Sequence, residues 1–162
     1  IANSVAQNET IKIKFEVDVN PPAYAGFEHK YRLMPVPYEV NMYDLPSLFA
    51  GKIHAVICRT WQNRIKGRDL YDYIFYLSKG AAVNQKHLRQ RLLQSGFITP
   101  SVECTLPEIK EMLCERFDQI DYAQAKADVE PFIRNPSVLN IWSADFFKQI
   151  TESLFCDFHR IV

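Results

Sequence analysis

The sequence has no excess of charge of either sign: nineteen Lys and Arg stand against nineteen Asp and Glu in 162 residues, for a formal net charge of zero. That balance excludes a histone-like polycation and an acidic tail, and leaves room for a local basic patch. No apolar run approaches the roughly 20 residues of a membrane span, and no basic-then-apolar signal segment opens the chain. Cys58, Cys104, Cys114 and Cys156 are widely spaced, with no CxxC pair and no close Cys/His cluster. A zinc site needs paired ligands a few residues apart, so the expectation is buried, reduced thiols in a cytoplasmic protein. Repeats and low-complexity segments are absent as well. The chain also lacks an initiating Met, opening on Ile1, which suggests a processed or truncated product.

What is present is ordinary for a folded domain, with 48% hydrophobic and 23% charged residues. Ile11, Ile13, Phe15, Val17 and Val19 alternate with Lys12, Lys14, Glu16, Asp18 and Asn20. This period of two predicts a strand with one apolar and one polar face, ended by Pro21 and Pro22. Tyr31 to Val36 and Tyr38 to Tyr43 are further strand candidates, edged by Pro35 and Pro37. The period then changes. Asp44 is an N-cap for a helix carrying Leu48, Phe49, Ile53, Val56 and Ile57 up to about Arg59. A polar loop from Thr60 follows, with Gly67 as its flexible point. A second, aromatic helix runs from Arg68 to about Ser78 and closes at Gly80.

Beyond Gly80 the chain reads as helices. Asn84, Asp121 and Ser143 look like caps, and Thr105 to Glu108 has capping-box spacing. Leu88, Leu92, Leu113, Phe117, Phe132, Trp142, Phe146, Phe147, Ile150 and Leu154 recur at helical spacing and are expected in the core. The predicted fold class is α+β, with strands first and helices after. A sheet-bearing region over residues 1–80 precedes a helical region over 81–162.

Three constellations can carry chemistry. Glu16 and Asp18 share the polar face of the opening strand about 7 Å apart at ordinary strand rise, a spacing suited to a hard cation such as Mg²⁺. A solvated sheet face beside Lys12 and Lys14 is the plain alternative. The stretch from Lys52 to Arg68 holds Lys52, Arg59, Arg64, Lys66 and Arg68 with no acid among them. Clustered cations of this kind suit phosphate oxygens, and equally make a solvated basic loop. Finally, Arg68, Asp69 and Asp72 open the aromatic helix. There they read either as site residues or as a helix-start acid and an Arg68–Asp72 surface pair.

Three separate blocks carry a resemblance: residues 11–22 (IKIKFEVDVNPP), 43–55 (YDLPSLFAGKIHA) and 67–72 (GRDLYD). In order and spacing they resemble the AbiEii/AbiGii nucleotidyltransferase toxin family, which is similar to the DNA polymerase β-like nucleotidyltransferases. The resemblance covers roughly residues 11 to 80 by motif. It implies a small mixed sheet with helices, a nucleoside triphosphate substrate, and Mg²⁺. It further implies an RNA or protein acceptor, and a cognate antitoxin in a toxin–antitoxin or phage abortive-infection system. By the same resemblance Glu16 is a metal-site carboxylate with Asp18 as its same-face alternative. Lys52 is the helix lysine that faces the triphosphate, and Asp69 and Asp72 belong to the closing motif beside Arg68. Arg64 and Lys66 join Lys52, Arg68 and Asp72 in binding the nucleotide.

The family's opening Gly-Ser or Gly-Gly-Thr and its Asp-x-Asp strand have no counterpart here. Those groups would cradle the phosphates and hold the metals. The chain is therefore expected to be the C-terminal portion of a longer enzyme, inactive alone. The alternatives are a degenerate family member and a non-enzymatic module that contacts a protein or RNA.

Overall fold

The structure, a computed structural model, describes residues 12–59 and 66–157. Strands β1 (Phe27–Arg32) and β2 (Tyr38–Tyr43) form one antiparallel pair, with Phe27 opposite Tyr43 and Arg32 opposite Tyr38. Six helices follow: α1 (Leu45–Cys58), α2 (Gly67–Ser78), α3 (Gln85–Gln94), α4 (Leu106–Asp118), α5 (Tyr122–Val129) and α6 (Ala144–Thr151). Short 3-10 turns, Glu130–Phe132 and Pro136–Leu139, join α5 to α6. The class is α+β, as the change of hydrophobic period predicts.

The caps are where the sequence puts them. Asp44 accepts from the Ser47 amide at 2.9 Å, Asn84 from His87 at 3.0 Å, Asp121 from Gln124 at 3.0 Å and Ser143 from Phe146 at 3.2 Å. Glu108 accepts from both the amide and the hydroxyl of Thr105, at 2.6 and 2.8 Å. Those two bonds favour its ionised form and lower its pKa.

Helix α1 is the centre of the core. It packs against α2, α3 and α4, burying Phe49, Ile53, Val56 and Ile57 along its length. One continuous cluster joins these to Tyr73 of α2, Leu88 and Leu92 of α3, Leu113 and Phe117 of α4 and Phe147 of α6. Two polar groups within it satisfy each other: Thr151 Oγ1 donates to the Phe147 carbonyl, and Tyr73 Oη lies 2.7 Å from Thr151 Oγ1. Burial raises the Tyr73 phenol pKa. Cys104 and Cys156 are buried free thiols, pushed up to about 12 and about 11 by desolvation, whereas Cys58 and Cys114 are half-buried.

Several expectations are corrected. The described residues of the predicted opening strand, 12–19, join no ladder and are exposed throughout; Ile11 lies outside the described residues. A strand's backbone bonds need a neighbour, and the two-stranded pair offers this segment none. The first paired strand begins upstream of the predicted Tyr31–Val36 and shares only Tyr31 and Arg32 with it, with Leu33 to Pro37 forming the connection. Phe132, expected in the core, is exposed because the chain leaves helical geometry at the 3-10 turn after Val129.

Gly67 is the first residue of α2 and is buried, not a loop's flexible point. A Cβ there would sit 1.9 Å from the Ala125 carbonyl oxygen, so the glycine permits close approach of α2 to α5.

Candidate active site

An open cleft of about 490 Å³ lies where α1, α2 and the turn after α5 meet, a size in the range of small-molecule sites. Four cations, Lys52, Arg59, Lys66 and Arg68, and two carboxylates, Asp69 and Asp72, line it together with Tyr71, Phe132 and Ile133. Its formal charge is thus positive in a chain of zero net charge.

Each side chain is set by its helix. Asp69 and Asp72 are one turn apart on α2, so both face the neighbouring α1 side. Asp69, in the first turn, is buried (5% side-chain exposure), and Arg59 Nη1 donates to both of its carboxylate oxygens at 3.0 Å. Arg59 follows the last residue of α1, and its carbonyl accepts from Arg116 Nη2 of α4 at 2.9 Å. Lys52, in the middle of α1, reaches Asp72 Oδ2 at 2.6 Å. Arg68 does not reach Asp72 as a surface pair. Its guanidinium lies over the Phe132 ring, 6.0 Å from the centroid, at the outer limit of a cation–π contact.

The cleft therefore gathers Lys52, Lys66, Arg68, Asp69 and Asp72. Glu16 and Asp18 do not line it: Glu16 pairs with Lys14, and Asp18 accepts from the Asn20 amide at 3.0 Å, both on the exposed N-terminal arm. Arg64 lies outside the described residues. Arg59 was visible in the sequence only as one member of a charge run. Its role as the Asp69 partner depends on closure of the chain between α1 and α2, which no local pattern encodes. Phe132 is silent in the sequence, where aromatic residues at helical spacing read as core, and Tyr71 stands out there only as one ring of an aromatic helix.

The family model of the nucleotidyl transferase AbiEii toxin, type IV toxin–antitoxin system, matches residues 2–148. The chain belongs to the AbiEii family. No curated protein and no solved structure matches it.

Nucleotidyl transferases such as the AbiEii proteins generally use a divalent metal, so the donors in this chain bear on the site. Mg²⁺ takes near-octahedral oxygen ligation. Among the described residues no group of three or more His, Cys, Asp or Glu comes together. Asp69 and Asp72 already each face a cation. The donor set of this AbiEii cleft fits an anion and does not fit Mg²⁺. No helix among the described residues is long and apolar enough to cross a membrane.

Proposed function

We propose that the cleft binds the triphosphate of a nucleoside triphosphate, for transfer of its nucleotidyl group to an RNA or protein acceptor by a toxin held in check by a cognate antitoxin. The observation that carries this reading is the concentration of Lys52, Arg59, Lys66 and Arg68 around one cleft in a member of a nucleotidyl transferase family. In the reaction the acceptor hydroxyl oxygen bonds to the α-phosphorus and gives up its proton to solvent, the bond from that phosphorus to the bridging oxygen breaks, and pyrophosphate leaves. Guanidinium and ammonium groups stabilise the negative charge on the β- and γ-phosphates. Lys52, Arg68 and Lys66 contact the phosphates. Asp69 and Asp72 hold Arg59 and Lys52 in place until the nucleotide arrives. Glu16 and Asp18 are the family's metal carboxylates by resemblance; they stand on the exposed arm, and no step is assigned to them.

The test is titration with inorganic tripolyphosphate and with ATP at low and moderate salt. Binding should weaken steeply with salt, and Lys52→Ala should weaken it about tenfold, the size of one charge-assisted contact. Tripolyphosphate binding that is indifferent to salt and to Lys52→Ala removes the phosphate assignment. Transfer is read separately, as incorporation of labelled nucleotide into RNA or protein.

A further inference from the structure

The cleft is chemically two-sided. Lys52 and Asp72 join α1 to α2 on one flank, and Phe132 and Ile133 close the flank on the α5 side. Phe132 is 73% exposed, well above the other exposed aromatics of the helical region, Tyr71, Phe75, Phe97 and Phe155. Its neighbours explain why the ring is displayed rather than loose. Val129 is buried before it, Pro131 fixes the 3-10 turn, and Ile133 packs against the core after it. The Arg68 guanidinium lies over the ring, and the rest of the aromatic surface is open. Tyr71, one position before Asp72 on α2, adds a second half-exposed ring to the same lining.

We propose that Phe132, supported by Arg68 and joined by Tyr71, is the platform on which this cleft stacks a nucleobase. The proposal rests on reading the cationic flank as a triphosphate site. An aromatic ring next to a phosphate-binding cation is the pairing that nucleotides match, because base and phosphate are linked through one sugar. Stacking on a phenyl ring tolerates any base, since every base has a π-face. The platform therefore supplies affinity for nucleotides over other polyphosphates, without choosing among bases. Arg68 has a double part: its charge serves the phosphates, and it lies over the ring.

The experiment compares binding of ATP with that of base-free ribose 5-triphosphate, which keeps the sugar and the charge. The wild-type chain should prefer ATP by about tenfold, within the range measured for base–aromatic stacking. Phe132→Ala should bring that preference close to unity, and Phe132→Trp should preserve it. Preference retained in Phe132→Ala overturns the platform, as does a wild-type chain that binds both compounds equally. In the latter case tripolyphosphate binding still supports the phosphate assignment, so the two readings fail separately. Binding of none of the three compounds overturns both.

Discussion

Residues 12–43 and residues 44–157 carry apolar side chains in regular periods yet dispose of them in opposite ways. Ile13, Phe15, Val17 and Val19 alternate cleanly and are all exposed, as are Tyr31, Leu33, Met34 and Val36 in and beyond β1. On the inward faces of the helices, Phe49, Ile53, Leu88, Leu113 and Phe117 sit at zero exposure. A helix satisfies its backbone internally and needs only one face covered, whereas a strand needs a hydrogen-bonding neighbour and a layer against its apolar face. The hairpin finds the first in its own pair. It is tied to the helices mainly at its base, where Gly26 donates to Ser47 Oγ at 2.9 Å and Asn84 donates to the Tyr24 carbonyl at 2.8 Å. Segment 12–19 finds neither. Period alone therefore states what a segment could do, and burial depends on what lies beside it.

The sharpest break of this comparison is a matched pair of truncations. Phe117, fully buried among Tyr73 and Phe147, should lose about 3–5 kcal/mol on change to Ala, the usual cost of emptying a core aromatic. Phe15, 87% exposed, should lose less than about 0.5 kcal/mol. Chemical denaturation of both variants measures the gap. A cost at Phe15 approaching that at Phe117 would show that the arm is covered in solution.

The second test uses pH on a group inside the helical region. His54 on α1 has its pKa lowered to about 4, first by desolvation and then by the charges of Arg91, Arg59 and His87. Its buried Nε2 has no hydrogen-bond partner among the described residues. The folded state thus binds the proton more weakly than the unfolded chain, whose His titrates near 6.5. Stability is full above about pH 6.5 and falls as pH drops through the window down to about 4. The loss is at most on the order of 3 kcal/mol at 1.36 kcal/mol per unit, and solvent screening of the partly exposed ring reduces it. His87, lowered in the same direction mainly by desolvation, adds to it. His54→Gln should flatten the profile between those limits. An unchanged acid slope in that variant assigns the loss to other groups.

A smaller effect is expected at the junction of the two regions. Asp44 joins β2 to α1, donating its amide to the Gly26 carbonyl while its side chain caps the helix. Asp44→Ala should cost about 1 kcal/mol, the usual value of an N-cap, and a thermal melt of the variant checks it. This cap was legible from sequence because capping is a contact over three residues, and the same is true at Asn84, Asp121 and Ser143. The α1 core face was legible too, as a period. What the sequence withheld lies far apart along the chain. Asp69 finds Arg59 ten residues away in the chain, and Gly67 is needed because Ala125 comes against it. Phe132 turns outward because a 3-10 turn breaks the helical register. The cations and carboxylates of the cleft were readable as types in a cluster, whereas their pairing required the fold.

A small stability effect should come from the residue with the largest expected functional one. Lys52 and Asp72 are 38% and 37% exposed, so water and salt screen much of their attraction, and such pairs contribute about 0.2–1 kcal/mol. A double-mutant cycle with Lys52→Ala, Asp72→Ala and the combined variant should return a coupling within that range. If Lys52 serves mainly to hold α1 against α2, coupling and ligand affinity should fall together, and Lys52→Ala should behave like Asp72→Ala toward tripolyphosphate. If it serves the phosphates, the two variants should part: Lys52→Ala should weaken tripolyphosphate binding, whereas Asp72→Ala, which removes a repelling carboxylate, should leave it equal or stronger. Equal weakening by both substitutions would place Lys52 among the groups that hold the helices together and not among those that bind the ligand.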